Sequence, residues 1–132
     1  EAFLDLLNNE SKYYVTHAAP TPVDAITTIR KAGGVAVIAH PFASRRGQII
    51  TASTFSDLVA AGLNGIEVHH RDQNAQEQAT LTTIAQELNL VMTGSSDYHG
   101  TGKLNALAEN TTHQAQWEQL ESLADARRVV KK

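Results

Sequence analysis

Three apolar runs, each too short to make a helix, limit the fold of this chain more than any other feature. They are Val35-Ala36-Val37-Ile38-Ala39, Gly65-Ile66-Glu67-Val68-His69 and about Leu90 to Thr93. The first is continuously apolar and reads as a strand covered on both faces, as in parallel sheets. The second, which also carries Glu67 and His69, and the third read as further short strands. Helical signals fill the intervals. Thr21-Pro22-Val23-Asp24 offers a hydroxyl cap, proline at the first helical position and an acid in the first turn. Ala25, Ile26 and Ile29 give that helix an apolar side, and Gly33-Gly34 stop it. A second helix is expected over about Ser53 to Ala61, ending at Gly62. Asn74, with Glu77 three places on, predicts a capping box for a third, whose stripe is Leu81, Ile84, Ala85 and Leu88. The last helix is expected from Gln114 to Ala126 on Trp117, Leu120 and Ala124, before a frayed tail at Lys131-Lys132. Helices alternating with strands argue for an α/β fold, a parallel sheet joined by right-handed crossovers.

Composition narrows the chemistry. The 132 residues fit one domain, and 42% apolar content suffices for a core. A net charge of -3 gives no general DNA-binding surface. With no cysteine, any metal has to sit on His, Asp or Glu. Nothing approaches the ~20 apolar residues of a membrane span, so no membrane partner is expected and a cytoplasmic location is the default reading. The chain opens Glu1-Ala2-Phe3 without methionine, which reads as part of a longer protein.

The polar residues gather where the expected strands end. His40 follows the first, Glu67, His69 and His70 close the second, and Asp97 and His99 lie just past the third, in GSSDYHG (94–100). In a parallel α/β sheet these ends share one edge, the edge that carries active sites. Alone, Asp97 would serve as a turn cap and His40 as a buried histidine bonded to backbone. Together on one rim, a carboxylate and imidazoles suit a divalent cation such as Mn²⁺, Fe²⁺ or Zn²⁺. The long 42–52 loop after the first strand contains Arg45-Arg46, and loops in that position tend to carry function. Gly100-Thr101-Gly102-Lys103 is no phosphate loop, because Leu104 replaces the required Ser or Thr. Ser96, Asp97 and His99 are too close in the chain for a triad, and no GxSxG elbow is present. Trp117 reads as core rather than as a stacking platform.

GGVAVIAHP (33–41), GIEVHH (65–70) and GSSDYHG, in this order, resemble the last three motifs of the PHP (polymerase and histidinol phosphatase) family of metal-dependent phosphoesterases. The resemblance implies a distorted (β/α)₇ TIM-like barrel with up to three divalent metals, Mn, Fe or Zn. His40, Asp97 and His99 would be ligands, Asp97 and His99 placing the metals for catalysis. Arg45 or Arg46 would grip the substrate phosphate, and His70 would face the pocket. Glu67 is carried over only as a supporting residue, and Gln73 stands where many relatives have another histidine. The family's opening His-x-His is absent here. On that basis residues 1–132 are expected to be the C-terminal part of a PHP domain: about 1–20 rejoining after an inserted region, 21–112 barrel, 113–132 terminal helix and tail. The implied function is hydrolysis of nucleotide phosphates, as 5′-phosphates, 3′,5′-bisphosphates or short RNA ends. The alternatives are a cyclic phosphodiesterase or a non-catalytic scaffold module. Lacking most of the family's metal ligands, the fragment alone is expected to have low or no activity, and the sheet edge exposed by an incomplete barrel favours self-association.

Overall fold

The computed structural model describes residues 6, 10–16, 18–44, 47 and 50–125. Arg45, Arg46, Ala126 and the tail lie outside these, as do residues 1–5, 7–9 and 17 of the expected rejoining segment. Among the described residues four α-helices alternate with three strands: α1 (Pro22–Lys31), β1 (Val37–Ile38), α2 (Phe55–Ala60), β2 (Gly65–His69), α3 (Ala75–Glu87), β3 (Val91–Gly94) and α4 (Gln114–Leu123). All pairings are parallel and the sheet order is β1-β2-β3. Strands that follow one another in sequence and lie side by side, each pair bridged by a helix, form an arc of the TIM-like barrel expected above.

The caps set the helix starts. Thr21 Oγ1 accepts from the Asp24 N–H with Pro22 at the first helical position. The box at α3 is reciprocal: the Glu77 N–H donates to Asn74 Oδ1 at 3.0 Å, and the Asn74 N–H to Glu77 Oε2 at 2.7 Å. Replacing Asn74 by alanine removes both the acceptor and its orientation, and a urea melt should show a loss of about 1 kcal/mol. An unchanged midpoint would mean that α3 is held by packing alone.

The first strand is shorter than the run Val35–Ala39 because side chains finish its ladder. Asn64 Oδ1 accepts from the Ala36 N–H at 3.0 Å, and Glu67 Oε2 from the His40 N–H at 2.9 Å. The second helix begins with a 3₁₀ turn, Ala52–Thr54. The last one stops at Leu123, three residues before the expected end, as Ala124 turns extended and the Asp125 N–H reaches Gly33 O. Its stripe is also narrower than expected. Leu120 is buried, but Trp117 is 55% exposed and is not core. Gln116 faces the sheet instead, its Oε1 accepting from the Met92 N–H at 2.7 Å, while Thr112 Oγ1 takes the Gly94 N–H. Polar side chains thus occupy the open edge of β3, where exposed backbone would otherwise invite another strand.

The core lies between the sheet and α1 to α3, built on Phe55, Leu58, Ile66, Val68, Leu81 and Ala85. Ile66 and Val68 point into it, which leaves Glu67 on the opposite face of β2.

Candidate metal centre

The rim of the sheet is built by the ends of β1 and β2 together. Glu67 turns from the face opposite the core toward His40, and its carboxylate holds the His40 backbone in place. His40 takes a positive φ of 30°, a conformation rare for a residue with a side chain and one that concentrates at functional sites. Past it, the Phe42 N–H donates to Gln73 Oε1, and Gln73 Nε2 donates to the carbonyls of Glu67 and Val68. Gln73 is buried and spends its amide tying the β1 exit to the end of β2. Its role here is structural.

In a regular strand Glu67 and His69 would share a face. Between β2 and β3, however, the register slips: Glu67 faces Thr93, and His69 already faces Gly94. This bulge rotates the residues after it. His70 comes round to Glu67, and His69 instead lines a cleft of about 380 Å³ with Met92, Thr111, His113 and Gln116. A close approach of chains supports this corner, since a Cβ on Gly94 would stand 2.8 Å from His69 Cβ and 2.7 Å from Thr111 O.

Donor atoms of His40, Glu67 and His70 all lie within 4.8 Å of one another. Zn–N and Zn–O bonds are about 2.0–2.2 Å, so ligands of one ion stand at most about 4.3 Å apart. A spread of up to 4.8 Å lies beyond that span, so the three donors stand near one another but wider than the ligands of a common ion. Glu67 is 8% exposed, and among the described residues no Lys or Arg pairs with its carboxylate. A buried carboxylate without a positive partner is costly, and a cation beside His40 and Glu67 offsets that cost. The donor set therefore fits a divalent ion.

The two flanking histidines have opposite tautomers. His70 Nδ1 accepts from the Asp72 N–H at 3.2 Å, so in the neutral ring the proton sits on Nε2. That Nε2 is fully buried with no hydrogen-bond partner, a donor awaiting an acceptor. As the ring stands it suits an oxyanion; a cation would require the proton to leave. His99 is the reverse. Its Nδ1 lies 2.6 Å from Asp97 O, and a carbonyl only accepts, so Nδ1 carries the proton and Nε2 keeps its lone pair. A ring oriented by a carbonyl in this way is the usual support of a metal-ligating histidine.

Asp97 and His99 sit in the loop after β3, with Asp97 Oδ1 3.5 Å from His99 Nδ1 and Asp97 at φ 48°. The loop leaves directly beside β2: the Ser95 N–H donates to His69 O, and Asn105 bridges Ser96 O to Arg71. All three strand exits are therefore neighbours. Among the described residues, those whose donors close to within 4.8 Å are His40, Glu67 and His70, not His40 with Asp97 and His99. Glu67, expected from the sequence only as a supporting residue, stands with His40 and His70 in this cluster. Its signal was a carboxylate at an otherwise apolar strand end, one step before the paired histidines.

No protein-family model matches the sequence. The chain is 42% identical over 77 residues to the phosphoribosyl 1,2-cyclic phosphate 1,2-diphosphodiesterase of Eggerthella lenta, covering 58% of this chain and 28% of that protein. It is 33% identical over 90 residues to the 3′,5′-nucleoside bisphosphate phosphatase of Chromobacterium violaceum, covering 68% of this chain and 32% of the relative. A crystal structure from Bifidobacterium adolescentis, described as a metal-dependent phosphoesterase, superposes with a TM-score of 0.85 at 34% identity, covering 94% of this chain and 44% of that one. An amidohydrolase from Chromobacterium violaceum, with bound sulfate and no metal, superposes with a TM-score of 0.63 at 26% identity, over 96% of this chain and 47% of that one. The chain thus spans about a third of the curated relatives it matches and under half of the structural ones.

Proposed function

We propose that this chain, which belongs to the PHP family of metal-dependent phosphoesterases, supplies one side of a metal centre that hydrolyses phosphate monoesters of nucleotides. The observation that carries this reading is the cluster of part-buried His40 with buried Glu67 and His70 at the strand exits. His40 and Glu67 would hold a divalent ion, and Asp97 with His99 would hold others from the neighbouring loop. Such ions, when bound, lower the pKa of water and neutralise charge on the phosphoryl group. Glu67 has a second duty, since its other oxygen fixes the His40 backbone. His70 donates from Nε2 to a phosphoryl oxygen, in agreement with its tautomer. Arg45 or Arg46 grips the phosphate through paired N–H bonds, a geometry lysine cannot copy. Mn²⁺, Fe²⁺ and Zn²⁺ all suit this donor set.

The candidate substrates are 3′,5′-bisphosphates, 5′-phosphates and short RNA ends. A cyclic phosphodiester is the second reading, favoured by the 42% identity to a relative named for that bond. We infer a cytoplasmic setting and a C-terminal place for residues 1–132 within a PHP domain. The chain holds no His-x-His, so alone it should turn over weakly, and the β1 edge of the sheet, where Val37 is 38% exposed, should promote self-association.

The test is metal-dependent release of phosphate by a full-length protein containing this chain, with the 132-residue chain alongside. Bisphosphate, 5′-phosphate and cyclic substrates are offered with Mn²⁺, then again after chelation. Turnover that prefers the bisphosphate and vanishes with the metal supports the first reading, and a preference for the cyclic ester selects the second. No metal-dependent hydrolysis of any of them leaves the scaffold role.

A further inference from the structure

Lys103, just past the GSSDYHG segment, has no task in the reaction above. Its Nζ donates to Asp97 Oδ2 at 2.7 Å, with the side chains 36% and 26% exposed. The contact spans six residues and depends on a fold-back. Asp97 at φ 48° and Gly100 at φ 69° reverse the chain, and the 3₁₀ turn Gly100–Gly102 delivers Lys103 to the carboxylate. Asp97 Oδ1 meanwhile faces His99 Nδ1, whose ring is already set in the tautomer of a metal ligand. A loop that prepares a carboxylate and an imidazole for a cation therefore already holds one.

We propose that Lys103 is a resident counter-ion, which neutralises Asp97 in the metal-free protein and gives up the carboxylate when a divalent ion arrives. The inference rests on Asp97 as a metal ligand. An ammonium at 2.7 Å from Oδ2 occupies the position an ion would take on that oxygen, and two cations cannot share it without repulsion. Loading the metal is then an exchange of cations. The displaced ammonium stays tethered at the rim, where the substrate's phosphoryl oxygens arrive.

The exchange predicts an effect of unusual sign. Replacing Lys103 by methionine removes the competitor, so the variant should bind Mn²⁺ more tightly than the parent chain. A part-exposed ion pair supports up to about a fivefold change. Lys103→Arg should keep the parent's affinity. A side chain that merely braced the loop would give the opposite result, looser binding on removal. Calorimetric titration of Mn²⁺ into the 132-residue chain and both variants reads this directly. Unchanged or weaker binding by the methionine variant overturns the proposal, as does absence of Mn²⁺ binding by the parent. A second readout needs no variant: titrating Zn²⁺ into the parent should shift the NMR signals of the Lys103 ε-methylene, and signals that stay fixed overturn the proposal as well. Tighter Mn²⁺ binding without phosphate release by the full-length protein would sink the hydrolytic reading and leave the exchange standing.

Discussion

Replacing Glu67 by glutamine is expected to lower divalent-metal affinity by at least about 100-fold, with a matching loss of phosphoesterase turnover. Residues that only support a metal ligand change affinity by about 10–100-fold, and Glu67 is placed to do more than support. Glutamine has nearly the same shape and its carbonyl still accepts from the His40 N–H, the 2.9 Å bond that fixes the β1 exit. What disappears is the negative charge in a pocket where, among the described residues, no Lys or Arg pairs with it. The fold should not suffer. Removing a buried charge is neutral or favourable for stability when no ion is present. A glutamine variant with unchanged metal affinity would make His40, Glu67 and His70 a structural cluster, and the centre would have to be sought at Asp97 and His99. Asparagine at Asp97 supplies the complementary arm: it should abolish turnover while the melt stays put, and retained turnover would remove Asp97 from the site.

Phe55→Ala should cost about 3–5 kcal/mol of stability, the usual range for emptying a buried aromatic site. Phe55 is fully buried, and its ring meets Phe42 edge-on with centroids 6.1 Å apart at 71°. It lies at the start of α2, a helix of six residues that has little stability without its anchor. The damage should also reach the rim. Phe42 follows His40 by two residues, and its N–H is held by Gln73. Equilibrium denaturation of the variant, with the slope checked against the parent, measures the loss. A change under about 1 kcal/mol would show that the core re-forms around Leu58 and Leu81, contrary to the close packing inferred here.

Much of this architecture is legible in the residues. Thr21-Pro22 and the Asn74/Glu77 pair announce helix starts because a cap is a local affair, decided by side chains within three positions of the bonds they make. The runs Val35–Ala39 and Leu90–Thr93 announce strands of a parallel sheet by their apolar content, although Val37 of the first is 38% exposed at the sheet edge and the middle strand carries Glu67 and His69. Element ends are harder to read. The run Val35–Ala39 overstates its strand, since Asn64 and Glu67 supply bonds that a neighbouring strand would otherwise make. Trp117 keeps helical spacing yet stays half-exposed, because which arc of α4 meets the sheet is set by Gln116 docking on Met92. No periodicity encodes that choice.

The site divides along the same line. That His40, Glu67, His70, Asp97 and His99 belong to one rim follows from alternation alone, since parallel strands send all their exits the same way. Which of them face one another is a matter of long-range contacts. The bulge in β2 brings His70 to Glu67 and turns His69 away, and it arises from pairing with β3, residues distant in the chain. The tautomers likewise depend on where a backbone N–H or carbonyl happens to stand, Asp72 for one ring and Asp97 for the other. The sequence determined the elements and the edge on which the chemistry sits, because those depend on local bonds and on the direction of the strands. Only the tertiary structure decided the partners, because a one-residue slip in register exchanges the two faces of a strand.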